Sequence, residues 1–290
     1  MKKNSIFITG ANGLLGRHFL QTYNNTDYSL HAAVRSMPED PVDNVTYHII
    51  DFSTDWSIES LPEGIDTICH LAQSDNFRNF PEQALDVFEV NIASTAKLLD
   101  YAYRKNVRKF IYASSGGVYA NVNQAFKENS PLAESHQLGY YLGSKRCSEI
   151  LASNYSSIMD VSILRFFFIY GAGQKRSMLL PRLVDNVKNG ISVTLQGEEG
   201  LNINPIHVMD AVKAVGNCVE TDGSAIFNIA GKNVYSLKTV ASIIGDLVGR
   251  EPVFEYQDKP PQSIVADIGA MEDLLHKPGI DLEKGLSDIL

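Results

Sequence analysis

The stretch Thr9-Gly10-Ala11-Asn12-Gly13-Leu14-Leu15-Gly16 decides the fold of this chain. It follows an apolar run, Ser5 to Thr9, that is typical of a buried strand, and it opens a helical pattern that ends near Tyr23. Its glycines are spaced GxxGxxG, which permits a tight turn and lets backbone amides approach a pyrophosphate. The helix N-terminus adds free N–H groups and partial positive charge. The stretch therefore predicts a dinucleotide phosphate turn, with an ordinary glycine-rich turn as the alternative.

The rest of the chain repeats this alternation of short apolar runs and longer helical patterns. Strands are predicted at 5–9, 30–34, 45–50, 67–71, 109–113, 161–167, 192–196 and 225–229. Helices are predicted at 14–23, 88–104, 140–155, 179–189, 209–220 and 237–249. Short apolar strands separated by helices predict an α/β fold with a doubly wound parallel sheet, whose ligands bind beyond the carboxyl ends of the strands. We expect a dinucleotide-binding domain over 1–170 and a smaller substrate-binding lobe over 171–290, interleaved with late strands of the sheet.

Composition restricts the class of protein. The chain has 290 residues, 44% apolar and 20% charged, and a net charge of −9, which argues against a protein that tracks nucleic-acid phosphates. No stretch approaches the roughly 20 apolar residues of a membrane span. The three cysteines, Cys69, Cys147 and Cys218, have neither metal-binding nor disulfide spacing. We expect a cytoplasmic protein with no metal site and no nucleic-acid or membrane partner, in which Cys69 and Cys147 are buried thiols.

The end of the second predicted strand is expected to meet the adenosine ribose of a dinucleotide. An acidic residue there favours NAD, whereas a basic residue favours the 2′-phosphate of NADP. The sequence has Arg35 at this place, about twenty residues beyond the turn. The prediction is therefore NAD(P) with a preference for NADP, and a solvated arginine is the alternative. Asp51, just past the third strand, is a candidate for the adenine amino group, and otherwise a simple turn acid.

A second motif, Tyr141-Leu142-Gly143-Ser144-Lys145, has the spacing YxxxK on a predicted helix. Residues four apart share one helix face, and an ammonium beside a phenol lowers the tyrosine pKa. Tyr141 can then exchange a proton with a substrate hydroxyl or carbonyl, while Lys145 holds the nicotinamide ribose. Ser115, at the end of the fifth strand, is placed to orient the reacting oxygen. The alternatives are an exposed Tyr–Lys pair and a polar strand terminus.

These motifs occur in an order that resembles the extended short-chain dehydrogenases/reductases, specifically the NAD-dependent epimerase/dehydratase family that includes sugar-nucleotide epimerases. The resemblance runs along nearly the whole chain. It rests on TGANGLLG (9–16), HLA (70–72), VNIASTAKLLD (90–100), ASSGGVY (113–119), YLGSK (141–145), RFFFIYGAGQ (165–174), NPIHVMDAVKA (204–214) and FNIAG (227–231). It implies a Rossmann domain and the catalytic residues Ser115, Tyr141 and Lys145. The residues expected to contact the cofactor are Gly10, Asn12, Gly13, Leu14, Leu15, Gly16, Arg35, Asp51, Phe52, Leu71, Ala72, Asn91, Ser114, Tyr141 and Lys145.

Several positions depart from the family pattern. The dehydratases carry an acidic pair where this chain has Gly116 and Gly117, which disfavours 4,6-dehydration. Many sugar-nucleotide epimerases carry an asparagine where this chain has Phe168, and an arginine for the diphosphate within the segment that here reads Gly200 to Pro205, without arginine. Arg176 or Arg182 can take that role, and otherwise both are solvated helix residues.

Three functions follow from these patterns. The first is an epimerase of a sugar or sugar nucleotide, in which hydride leaves the substrate and returns to its opposite face. The second is an NADP-dependent reductase or dehydrogenase of a small carbonyl or keto-sugar. The third, a cofactor-binding sensor without catalysis, is disfavoured because the tyrosine and the lysine are both present. By analogy with relatives that pair the helices at 88–104 and 140–155, we expect a homodimer.

Overall fold

A computed structural model describes residues 4–120 and 124–290 of the chain. Its strands are β1 Asn4–Thr9, β2 Tyr28–Val34, β3 Val45–Ile49, β4 Thr67–His70, β5 Lys109–Ser115, β6 Asp160–Phe166, β7 Ile169–Tyr170, β8 Val193–Gln196, β9 Asn202–Ile203, β10 Ile206–His207, β11 Ala225–Ile229, β12 Tyr235–Ser236, β13 Phe254–Gln257 and β14 Ser263–Ile264. Its α-helices are α1 Leu14–Tyr23, α2 Ala84–Val87, α3 Ser94–Arg104, α4 Ser135–Asn154, α5 Leu179–Asn189, α6 Val208–Glu220, α7 Leu237–Val248, α8 Gly269–Leu274 and α9 Leu282–Leu286.

Seven strands form one parallel sheet in the order β11-β6-β5-β4-β1-β2-β3. β1 pairs in parallel with both β2 and β4, so the order of strands reverses on either side of it. A ligand site is expected at such a reversal, beyond the carboxyl end of the strands, and the turn at Gly10 to Gly16 follows β1 there. The predicted α/β class and the doubly wound Rossmann sheet are confirmed.

Two compact units can be distinguished along the chain. The first contains residues up to Val118, Leu132–Arg165 and Val215–Phe227, and the second contains Tyr119–Pro131, Phe166–Ala214 and Asn228–Leu290. Residues 119–131 thus group with the second unit and 215–227 with the first. The second of these segments belongs to the first unit because it includes most of β11, the outer strand of the seven-stranded sheet.

The core of the first unit is built from apolar residues of the central strands and of α3. Phe7, Ile68, Phe110 and Leu98 have no exposed surface, because the middle strands are covered on both faces. The second unit has its own core, in which α5 and α7 bury Val184, Val240 and Ile244. In the part of the chain that the structure describes, no helix combines the length and the apolar character needed to cross a membrane.

The helix predicted over 88–104 is present, but its first six residues are not α-helical. Residues Phe88–Ala93 form a π-helical segment between α2 and α3. Within it, the carbonyl of Asn91 accepts hydrogen bonds from the hydroxyls of Thr95 (2.7 Å) and Ser148 (2.7 Å). Side-chain hydroxyls that bind a helix carbonyl disturb the regular ladder, and such π segments recur at functional sites.

α4 is also not continuous. Gly139 has a φ of 64° and a ψ of 175°, so the backbone leaves the helical conformation just before Tyr140. The helix proper therefore begins where the sequence predicted it, with Tyr141 in its first turn. Cys147 lies on the outward face of this helix and is exposed, so the expectation of a buried thiol there is wrong, whereas Cys69 and Cys218 are buried.

Candidate active site

The turn after β1 has the geometry of a phosphate cradle. Gly10 has a φ of 67°, and its carbonyl accepts the Gly13 amide at 2.9 Å. A Cβ on Gly10 would lie 2.8 Å from the Ala72 nitrogen, and a Cβ on Gly16 would overlap the Gly10 carbonyl. α1 starts at Leu14 with no capping side chain and no acidic residue in its first turn. Its first amides are thus available to an anion, and this turn fits a dinucleotide pyrophosphate.

The backbone after β4 forms one wall of this turn. The Ala72 amide donates to the Thr9 hydroxyl at 3.1 Å, and the carbonyl carbon of Leu71 lies 2.9 Å from the place of a Gly10 Cβ. Leu71 and Ala72 therefore lie beside the phosphate turn, where the sequence places them. This close approach explains why residue 10 carries no side chain.

Arg35 and Asp51, the residues expected near the adenosine, have different surroundings. The Arg35 guanidinium forms an ion pair with Asp75 at 2.8 Å, and both side chains are well exposed. The Asn12 amide donates to the Ser36 carbonyl at 3.0 Å. Burial alone would raise the pKa of Asp51, but the hydroxyl and amide of Ser53 hold it below its usual value.

Three of the expected cofactor residues point their side chains into the protein. Phe52 is 6% exposed and stacks edge-on against Trp56, with ring centroids 5.0 Å apart. Ser114 is buried at the end of β5. The Asn91 side chain accepts the Ser74 amide at 2.9 Å and donates to the Ser144 hydroxyl at 2.8 Å. The side chain of Asn91 therefore connects Ser74 with Ser144 inside the protein and does not point into the site.

Tyr141, Ser115 and Gln73 form the polar center of the site. The Tyr141 phenol donates to the Gln73 side-chain carbonyl at 3.1 Å. The Ser115 hydroxyl is a hydrogen-bonding neighbour of the same phenol, and it also accepts the Gly117 amide at 3.2 Å. Nothing in the sequence marked Gln73, since it lies in a loop, although it directly follows the HLA motif at residues 70–72.

The same loop covers the ring of the tyrosine. Phe77 packs against Tyr141 with ring centroids 4.9 Å apart, and the Arg78 guanidinium lies 5.0 Å above the Phe77 ring. Phe80 stacks on Tyr140 in the same way, at 4.9 Å. The sequence did not predict these contacts, because only tertiary packing brings the loop onto α4.

The expected lowering of the Tyr141 pKa by Lys145 is not found. Burial raises the pKa of Tyr141 to about 12, although Arg78 and the Ser115 hydroxyl act in the opposite direction. The Lys145 ammonium donates to the Ala113 carbonyl at 2.9 Å and is itself buried. Burial lowers the pKa of Lys145 to about 7, against the charge of Glu149. By itself the protein therefore holds Tyr141 as a protonated phenol at neutral pH.

A buried ion cluster lies one turn beyond Lys145. Glu149 accepts two hydrogen bonds of 2.9 Å from the Arg165 guanidinium and a third, also 2.9 Å, from Arg146. The Glu149 side chain has no exposed surface and that of Arg165 is 2% exposed. Burial would raise the pKa of Glu149, but Arg165 keeps it below its usual value. The cluster fixes the helix that carries Lys145 against β6.

Glu149→Gln should destabilise the protein by roughly 3–5 kcal/mol, because it leaves the buried Arg165 charge without compensation. The measurement is urea unfolding. Glu63→Gln is the matched control, since it breaks an ion pair of 2.7 Å with Lys105 on the exposed surface, and it should leave the unfolding midpoint nearly unchanged. Equal effects of the two substitutions would contradict the prediction.

His70 makes the stability of the protein depend on pH. It is fully buried, and burial, with the nearby Lys145 charge, lowers its pKa to about 3. The folded protein thus resists a protonation that the unfolded chain accepts near pH 6.5, so this contribution to stability is complete above that pH and is lost as the pH falls towards 3. We expect a loss of roughly 2 kcal/mol between pH 7 and pH 5.

Urea unfolding at the two pH values measures this loss. His70→Asn should flatten the dependence on pH, whereas replacement of the exposed His136 by asparagine should leave it as in the unmodified protein. An unchanged dependence in His70→Asn would assign the acid sensitivity to other groups, among them the half-buried pair His31 and His48, whose pKa values burial also lowers.

No group of three or more His, Cys, Asp or Glu side chains that could hold a metal ion occurs within residues 4–120 and 124–290. The sequence profile of the NAD dependent epimerase/dehydratase family matches residues 6–230. The chain is 28% identical over 241 residues to YtcB of Bacillus subtilis, described as an uncharacterized UDP-glucose epimerase, covering 80% of this chain and 75% of that protein. It is 24% identical over 253 residues to the UDP-glucuronate 4-epimerase of Thermodesulfobacterium geofontis, covering 84% and 78%.

Solved structures give the same picture. MoeE5 in complex with UDP-glucuronic acid and NAD superposes with a TM-score of 0.84 at 25% identity, covering 98% of this chain and 97% of that one. The family profile covers most of the chain, and the relatives are enzymes of nucleotide sugars. The protein is therefore a member of the NAD-dependent epimerase/dehydratase family within the extended short-chain dehydrogenases/reductases.

Proposed function

We propose that the protein is an NAD-dependent epimerase that inverts a hydroxyl-bearing carbon of a nucleotide sugar. The observation that carries the proposal is the Tyr141 phenol, which neighbours the Ser115 hydroxyl and stands one helical turn before Lys145. Relatives described as UDP-sugar epimerases, and a neighbour solved with UDP-glucuronic acid and NAD, support the substrate class.

The proposed cofactor is NAD, held by the glycine turn and the first amides of α1. The family is NAD-dependent and the neighbour MoeE5 was solved with NAD, so the preference for NADP inferred from Arg35 finds no support. The ion pair of Arg35 with Asp75 is consistent with NAD, because a 2′-phosphate would have to compete with the Asp75 carboxylate for the Arg35 guanidinium. When bound, an oxidised nicotinamide would supply reversible hydride transfer, and its positive charge would favour the ionised form of Tyr141.

Ser115 and Tyr141 would carry out the transfer of the substrate's hydroxyl proton. Ser115 would orient the reacting oxygen towards Tyr141. Once ionised in the NAD-loaded enzyme, Tyr141 would take the hydroxyl proton in the first half of the cycle and return it in the second. Its protonation state is thus restored after every turnover, as a reaction without net oxidation requires.

The test is to denature the purified protein and identify released nucleotides by mass spectrometry, then to incubate it with UDP-glucose and UDP-glucuronic acid. We expect stoichiometric NAD and an epimeric product in the NMR spectrum, without net formation of NADH. An empty protein that consumes NADPH with a keto-sugar would replace the proposal by the second candidate, a reductase.

The reductase is retained because of two particular residues. Phe168 stands where many sugar-nucleotide epimerases carry asparagine, and it is held at a φ of 43°. Ile203, in the segment without an arginine, is fully buried in the apolar core of the second unit. Phe168 and the segment without an arginine both weaken the specific case for a nucleoside diphosphate sugar. The idle sensor stays the least supported function, because Ser115, Tyr141 and Lys145 are all present.

A homodimer in the cytoplasm belongs to the same proposal. The helices that relatives are expected to pair carry the exposed apolar side chains Phe88 (40% exposed) and Ile150 (48%), and Leu85 (78%) lies in α2 just before them. Light scattering should give twice the mass of one chain. The three cysteines are unpaired, in keeping with a reducing compartment.

A further inference from the structure

Buried polar side chains connect the phosphate turn with the helix that carries Tyr141. Thr9 and His70 end β1 and β4, and Thr95 and Asn91 lie on the helix behind them. Thr9, His70 and Thr95 have no exposed surface, and Asn91 is 1% exposed. Buried groups of this kind must satisfy one another, because no water replaces a missing partner.

The hydrogen bonds fix the state of the imidazole. The hydroxyl of Thr95 lies 3.0 Å from His70 Nε2 and uses its single proton on the Asn91 carbonyl, at 2.7 Å. It can therefore only accept from His70, so Nε2 carries the proton. On the other side the Thr9 hydroxyl lies 2.7 Å from Nδ1. Since Nδ1 is then unprotonated, it accepts from Thr9, whose oxygen in turn accepts the Ala72 amide.

The connection continues beyond Asn91. The Asn91 amide donates to the Ser144 hydroxyl at 2.8 Å, and that hydroxyl donates to the Tyr141 carbonyl at 2.7 Å. The path thus leads from the amide of Ala72, beside Gly10, to the first turn of the helix that carries Tyr141, and at Asn91 it passes from the backbone carbonyl to the side-chain amide. Each member of the path uses its donor in the same direction.

We propose that His70 is a positioning residue, which acts through Thr9 on the phosphate turn and through Thr95 and Asn91 on the helix of Tyr141. A single neutral tautomer of His70 allows its hydrogen bonds with Thr9 and with Thr95 to form at the same time. Loss of the Thr95 hydroxyl would leave Nε2 with only the more distant Ser94 hydroxyl, at 3.4 Å, and would allow the imidazole to change its tautomer. Thr9, beside the phosphate turn, would then lose the unprotonated Nδ1 as its acceptor. The catalytic half of this inference rests on the proposed function, whereas the cofactor half does not.

The experiment measures NAD affinity by calorimetry or, where NAD copurifies, by its rate of dissociation from the purified protein. Thr95→Val, which keeps the shape and removes the hydroxyl, should weaken NAD binding measurably and by at most about tenfold, because the lost buried hydrogen bond holds the turn and is not made to NAD itself. Thr95→Ser keeps the hydroxyl and should restore binding. Thr67→Val is the matched control, since Thr67 is fully buried on β4 and its hydroxyl has no partner within the described residues.

The double variant Thr9→Val/Thr95→Val tests whether the path acts as a unit. Its loss of affinity should not exceed that of the more affected single variant, because either substitution already breaks the path. Additive losses, or Thr95→Val binding NAD as well as Thr67→Val does, would overturn the inference. Nitrogen NMR of His70 in the unmodified protein should show Nε2 protonated, and an Nδ1-protonated ring would overturn it independently of any variant.

Catalysis supplies a separate readout. If epimerisation is observed, Thr9→Val should lower kcat at saturating NAD while KM for the sugar nucleotide stays unchanged. If no turnover is found with any sugar nucleotide, the proposed function fails, but the NAD and NMR measurements still decide the role of His70.

Discussion

Tyr141→Phe should reduce turnover about a thousandfold, while NAD binding and the free energy of unfolding stay close to those of the unmodified protein. The substitution removes only the phenolic oxygen. That oxygen binds Gln73 and neighbours Ser115, and the packing of the ring against Phe77 is kept. The chemical step loses its proton donor and acceptor, whereas nothing that holds the fold is lost. Turnover by NMR, calorimetry with NAD and urea unfolding measure the three quantities.

Tyr140→Phe is the control for this prediction. Tyr140 precedes Tyr141 directly and stacks on Phe80 as Tyr141 does on Phe77, but it has no lysine four residues later. Its loss of the hydroxyl should change turnover less than twofold. If Tyr140→Phe were inactive and Tyr141→Phe active, the assignment of the acid/base would be wrong.

Gly16→Ala should abolish detectable NAD binding and destabilise the protein by about 3 kcal/mol. The added Cβ would overlap the Gly10 carbonyl oxygen and lie 2.7 Å from the Ala11 Cα. Both neighbours are backbone atoms of the turn itself, so the overlap is relieved only by moving the turn or by shifting α1 away from it. Either movement displaces the amides that are to receive the phosphates. Calorimetry with NAD and urea unfolding check the two effects.

Gly143→Ala is the matched substitution in a helix. A Cβ on Gly143 would meet no atom within 4 Å. Since alanine is the better helix former, this variant should be more stable by about 0.5–1 kcal/mol and should bind NAD as before. Normal NAD binding by Gly16→Ala would show that the turn tolerates a side chain and that its glycines serve only local flexibility.

The central motifs could be predicted because their chemistry is local. The glycine spacing determines a turn whose backbone excludes side chains, and the alternation of apolar strands and helices determines a parallel sheet with that turn at the reversal of strand order. The YxxxK spacing places Tyr141 and Lys145 on one helix, and the end of β5 places Ser115. These features depend on neighbours a few residues away, so a single sequence carries them.

Electrostatics and long-range contacts required the tertiary structure. From the sequence alone we expected Lys145 to lower the pKa of Tyr141. In the folded protein burial raises the Tyr141 pKa, and Lys145 donates to the Ala113 carbonyl. Gln73 and Phe77 reach Tyr141 only because a loop distant in sequence folds onto α4.

The same distinction explains the partners of His70 and Arg165. The hydrophobic periodicity of the sequence does not predict these contacts. His70 is bound by Thr9 and Thr95, which lie on other elements, and Arg165 reaches Glu149 from a separate strand. Local spacing therefore determined the fold class, the geometry of the glycine turn and the choice of Tyr141 as the proposed acid/base. The pKa values and the contacts of these side chains were decided by the tertiary structure, because burial depends on residues from the whole chain.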